Sequence, residues 1–117
     1  MSTGEAADTL VAHIEAARGR LGALATARAD RGSAACDFGR ALGVDIAGLV
    51  DDLELESPAA RAAARAAAER FGSHVLAATL LEASDASPAS VFELVGRGMI
   101  RLSADVDRLA RVGRLPA

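Results

Sequence analysis

Five residue types are missing from this chain: lysine, asparagine, glutamine, tryptophan and tyrosine. Every basic residue is an arginine, thirteen in all. That skew is the mark of a GC-rich bacterial genome, and it describes coding bias rather than activity. Cysteine occurs once, at Cys36, which excludes an intramolecular disulfide and fits a cytoplasmic protein. Aromatic residues make up 3% of the chain, so the hydrophobic 51% is largely alanine. Alanine is the best helix former, and its small side chain lets helices approach closely. It also buries little area per helix. The core must therefore come from leucine, valine, isoleucine and three phenylalanines. Such a chain gains by burying further surface in an oligomer.

Long apolar runs are absent too. No stretch approaches the roughly 20 residues of a membrane span. The segment MSTGEAADTL has no basic region followed by an apolar run, so no signal peptide is expected. The net charge of -3 argues against nucleic acid or an anionic membrane as the main partner. Neither a glycine-rich phosphate loop nor a zinc-type Cys/His spacing occurs.

What remains is helical periodicity throughout 117 residues, read as one domain. The first helix is expected from about Gly4 to Arg31, with Ser2 and Glu5 as a capping box and Gly32 just past its end. Leu10, Ile14, Ala17, Leu21 and Leu24 form its apolar stripe. Phe38, Leu42, Ile46, Leu49, Val50 and Leu53 follow, as one helix broken at Gly43 or as two short ones, with Asp45 a candidate N-cap. Ser57-Pro58 and Ser87-Pro88 each signal a helix start. The helix from Pro58 is apolar nearly all round in its second half, with Phe71, Val75 and Ala78 on one side and Leu76 and Leu80 on another. Such a helix lies at the centre of a bundle or in a subunit interface. The last helix carries Val91, Val95, Met99, Leu102, Val106 and Leu109 on one face and Arg97, Arg101, Arg108 and Arg111 opposite. The expected fold is all-α, a compact antiparallel bundle of four to five helices. A homodimer is expected, with the Pro58 helix contributing apolar surface.

The segment FGRALGVDIAGLV, with Gly39, Gly43, Val44 and Leu49, resembles the helix-turn-helix of repressor-type headpieces over about twenty residues. That resemblance implies a transcriptional regulator. The charge opposes it. From Asp45 to Glu56 no side chain can donate to bases or phosphates, and five are acidic. This face is not expected to read DNA.

Four residues are candidates for a ligand site between helices: His13, Asp52, His74 and Glu82. The run DDLELE places Asp52 and Glu56 one turn apart, and Glu82 with Asp85 has E-x-x-D spacing. Two acidic pairs on successive helices resemble the all-α nucleotide pyrophosphohydrolases, which implies divalent-metal and nucleotide-phosphate chemistry. The pattern departs at Leu55, where those enzymes carry a glutamate. A solvated acidic face explains the same residues without a metal, and no metal site is assigned. The two histidines lack the Glu-x-x-His signature of di-metal bundles and read first as core or boundary residues. Cys36 sits beside Asp37, which disfavours a thiolate, so a buried structural thiol is expected. On the last helix, Glu93–Arg97, Arg101–Asp105 and Asp107–Arg111 are expected as i,i+4 pairs; were they broken, the arginines would be free for a partner's carboxylates or a phosphate.

These features point first to an interaction or assembly module acting through helix faces. The alternatives are a small enzyme or ligand binder with a carboxylate/histidine site, its cofactor unspecified, and a helix-turn-helix-like regulator.

Overall fold

The computed structural model describes residues 3–52 and 58–114, and the side chains of 4–52 and 58–111. Four helices follow in chain order: α1 (Thr3–Ala27), α2 (Gly32–Asp52), α3 (Pro58–Ala83) and α4 (Pro88–Arg114). No strand occurs among the described residues. The molecule measures 49 × 22 × 20 Å, the shape of helices of 21 to 27 residues packed side by side. None of the described helices is long and apolar enough to cross a membrane.

The local signals explain most boundaries. Pro58 and Pro88 each stand at the first helical position, where a missing N–H costs nothing. Ahead of α4, the Ser87 hydroxyl accepts a hydrogen bond from the Ser90 amide at 3.2 Å, closing the N-cap. Ser2 and Ser57, the other expected caps, lie outside the described residues.

α3 ends in a Schellman turn. The Ala86 amide donates to the Leu81 carbonyl at 3.3 Å and the Asp85 amide to the Glu82 carbonyl at 3.1 Å. Asp85 takes the left-handed conformation, φ 60°, in the position glycine usually fills.

Two expectations are corrected. α1 stops at Ala27, and Gly32 opens α2 instead of closing α1. At Gly32 an added Cβ would lie 3.2 Å from Glu82 and Val91 side-chain atoms, so the position is tight because α3 and α4 pack against it. More importantly, α2 runs unbroken through Gly43. The expected turn there, with Asp45 as N-cap, is absent, and so is the helix-turn-helix geometry at this place. Leu42, Ile46 and Val50 are buried at i,i+4 spacing straight across the glycine. One continuous helix keeps all three in the core, while a turn would expose one side of the break. The bundle therefore has four helices.

The α1 stripe is buried as expected at Leu10, Ile14, Ala17 and Leu21, with Leu24 packed at its edge. The α4 stripe from Val91 to Leu109 is buried along its whole expected length. α4 is the central helix, packed against α1, α2 and α3, whereas α1 and α3 touch least. α3 is not central. It buries Ala60, Ala64, Ala67, Phe71, Val75 and Ala78 and leaves its other apolar side open.

Small residues set the spacing between helices. At Gly98 of α4 an added Cβ would stand 2.8 Å from the His74 Cβ, which lies rigidly on α3. At Gly39 of α2 it would stand 3.0 Å from a Val75 methyl. Glycine at these two points lets α3 seat against both neighbours.

Candidate functional site

The four candidate residues fall at three separate places. His13 of α1 and Asp52 of α2 line one cleft of about 420 Å³, together with Val44, Asp45, Gly48 and Leu49. Antiparallel packing of the first two helices brings them together across 39 residues of sequence. The His13 Nε2 atom is fully enclosed and has no hydrogen-bond partner. A polar ring nitrogen so placed costs stability unless something supplies a partner.

His74 is elsewhere, on α3 facing α4. Its Nδ1 lies 3.1 Å from the Arg70 carbonyl oxygen one turn earlier. A carbonyl only accepts, so Nδ1 carries the proton and the ring is held in that tautomer. Its Cβ packs at the Gly98 contact. Glu82 is two turns further along α3, half-buried, with its methylene against Gly32. It stands in the last turn of α3, and Asp85 lies beyond the helix end. The E-x-x-D pair is thus not displayed on one helical face.

Among the described residues no three His, Cys, Asp or Glu side chains are grouped to hold a metal ion. Of the acidic run, Asp51 is engaged by Arg65 of α3 at 3.5 Å and Asp52 is exposed. Leu53, Glu54, Leu55 and Glu56 lie outside the described residues. Cys36 is buried as expected, and the neighbouring Asp37 pairs with Arg40 at the surface.

The arginine face of α4 differs from its expected pairing. Glu93 and Arg97 do pair, at 2.6 Å. Asp107 and Arg111 do not pair. Asp105 gathers three arginines: Arg70 of α3 at 3.0 Å, Arg108 at 3.5 Å and Arg101 at 3.7 Å. Its side chain is only 5% exposed. Gly98, Leu102, Asp105 and Leu109 follow spacings of four, three and four, so Asp105 stands in a core-facing register beside buried Leu102 and Leu109. An acidic residue in an apolar register, flanked by arginines at i-4 and i+3, was the available sequence signal. Arg70 could not be found that way, because its contact spans 35 residues.

Two apolar grooves remain, one between α1 and α4 beside half-exposed Ile100 and one between α2 and α3. The α2–α3 groove, of about 470 Å³, is lined chiefly by Gly39, Gly43, Val44, Ala47, Gly72 and Val75. Val44 is 73% exposed on its rim. One and two turns on from Gly72, Leu76 and Leu80 stand out from α3 at 61% and 62% exposure. Comparison with protein-family models, curated proteins and solved structures finds no match for this chain.

Proposed function

We propose that this protein is a small assembly module that self-associates through the α2–α3 face. The carrying observation is the pair Leu76 and Leu80, exposed on successive turns of α3 beside a groove of glycines and alanines. Exposed leucines scattered singly are ordinary surface. Two leucines on the turns that follow Gly72, with Val44 on the rim of a groove that is apolar but for Arg40 and Glu69, are the kind of surface that marks an interaction site.

A second copy is the occupant that fits best. The face carries both knobs and a hole: leucines on one helix, small residues on the next. A surface of that kind is self-complementary about a two-fold axis, because each copy offers its leucines to the other's groove. Composition favours the same conclusion, since a core poor in large side chains leaves stability to be gained from an interface. Each exposed leucine, if covered, contributes about 1–2 kcal/mol. Two per subunit, doubled by symmetry, offset part of the entropy cost of association.

The test is sedimentation velocity on the wild-type chain and on Leu76→Glu with Leu80→Glu. The wild type is expected to sediment as a dimer and the double variant as a monomer with unchanged helicity. Identical sedimentation of the two proteins would refute this use of the face.

One observation favours a second reading, a ligand-binding protein with its site at the α1–α2 cleft. It is the enclosed His13 Nε2 without a partner, close to Asp45 and Asp52. A small molecule with a hydrogen-bonding group would complete that nitrogen on a local opening of the cleft, since the atom is enclosed as it stands. Under this reading His13→Leu abolishes ligand retention; under the assembly reading it leaves the dimer intact.

A further inference from the structure

We propose that Arg70, Arg101 and Arg108, gathered around Asp105 at the α3–α4 seam, form a binding site for the phosphate group of a small soluble molecule. The inference is independent of the assembly reading, because it uses the α4-facing edge of α3 and none of the residues that line the α2–α3 groove.

The charge balance comes first. Three guanidiniums surround one carboxylate, which leaves two positive charges in excess within a chain whose net charge is -3. Among the described residues, Asp105 is the one carboxylate ion-paired with these three arginines. Arg97, one turn before Arg101, is already neutralised by Glu93. Arg111, one turn after Arg108 in sequence, makes no ion pair among the described residues. The excess is therefore focused at the seam.

The second observation is the unused donor capacity. Of the three contacts to Asp105, only the one from Arg70 Nε, at 3.0 Å, is a hydrogen bond. Arg108 at 3.5 Å and Arg101 at 3.7 Å are attracted without a directed bond. A guanidinium carries about five N–H donors in a planar fork. Most donors of the trio therefore face solvent, while the carboxylate beneath them is buried.

Asp105 then serves as an anchor. From below it holds three like charges together that would otherwise repel. Their forks stay open above. An incoming dianion with three acceptor oxygens matches both the residual charge and the donor geometry, and arginine forks bind phosphate bidentately. A monocarboxylate would leave one charge uncompensated. Duplex DNA would need cations spaced along a track, whereas these three meet within reach of a single carboxylate.

The test is a titration of ¹⁵N-labelled protein with inorganic phosphate, following the arginine Nε–H resonances. Sodium chloride at matched ionic strength serves as the control. Phosphate is expected to shift Arg70, Arg101 and Arg108 with saturation in the millimolar range, and chloride is not. Arg101→Gln and Arg108→Gln are both at exposed positions without a directed bond to Asp105, so the fold tolerates them. Each should weaken phosphate binding roughly five- to tenfold. Arg20→Gln, on α1, should leave it unchanged. Asp105→Asn, which removes the anchor that gathers the three arginines, should weaken it as well. Equal responses to phosphate and chloride overturn the proposal. So does binding only to vesicles containing phosphatidic acid, or only to duplex DNA at low salt, with no response to free phosphate.

Discussion

Replacing Gly98 by alanine tests how closely α3 and α4 are packed. An ideal Cβ at Gly98 would stand 2.8 Å from the His74 Cβ and 3.1 Å from its Cγ. Neither atom is the free end of a flexible side chain. The His74 ring is also tied to the Arg70 carbonyl, so α3 as a whole must move. Forcing one extra carbon into a packed interior costs about 1–3 kcal/mol. Against this, alanine in a helix interior is better than glycine by about 0.8–1 kcal/mol. The expected net effect is a loss of up to about 2 kcal/mol. Gly96 is the internal control, two residues earlier on α4 with nothing within 4 Å of its Cβ position. There the helix preference acts alone, and Gly96→Ala should gain up to about 1 kcal/mol. Urea unfolding followed by circular dichroism gives both values, read as midpoint shifts at constant slope. Gly98→Ala matching Gly96→Ala in sign and size would refute the close approach of α3 to α4.

Three further outcomes follow from other contacts. Asp85→Gly should raise stability by about 1 kcal/mol, because it removes a left-handed aspartate and a negative charge from the end of α3; an unchanged melting temperature would contradict this. Asp105→Asn should cost about 1–2 kcal/mol, less than a fully buried pair because the arginines are half-exposed. That loss should shrink in high salt as guanidinium repulsion is screened, so a salt-independent effect would point to lost packing instead. His13→Leu should be neutral or stabilising by about 1 kcal/mol in chemical denaturation, since it deletes an enclosed nitrogen with no partner; a marked loss would mean that nitrogen is satisfied in solution.

The helices were legible where one periodic signal dominated. Val91, Val95, Met99, Leu102, Val106 and Leu109 announce the buried face of α4, and the Ser-Pro pair announces its start. Gly43 does not break α2, because the i,i+4 run Leu42, Ile46, Val50 crosses it. Periodicity outweighs a single glycine, whose cost within a helix is about 1 kcal/mol. α3 was legible as a helix, but its apolar second half could not say which side faces out. Packing decides that: Phe71 and Val75 go in, Leu76 and Leu80 stay out.

The candidate polar residues were legible singly and not as groups. His13 and Asp52 meet only because α1 and α2 run antiparallel. His74 and Glu82, eight residues apart on one helix, go to different neighbours. Asp105 read as an ordinary i,i+4 partner of Arg101, and its burial and third arginine come from the docking of α3. Tertiary contacts of this kind leave no mark in local spacing.

The most direct test of the assembly account is the mass of the untagged chain in solution. Sedimentation equilibrium over a wide concentration range measures it without assumptions about shape. The account predicts twice the 11.9 kDa chain mass, falling toward one chain only on strong dilution. A mass of 11.9 kDa at every concentration, with Leu76 and Leu80 still exposed, would contradict it.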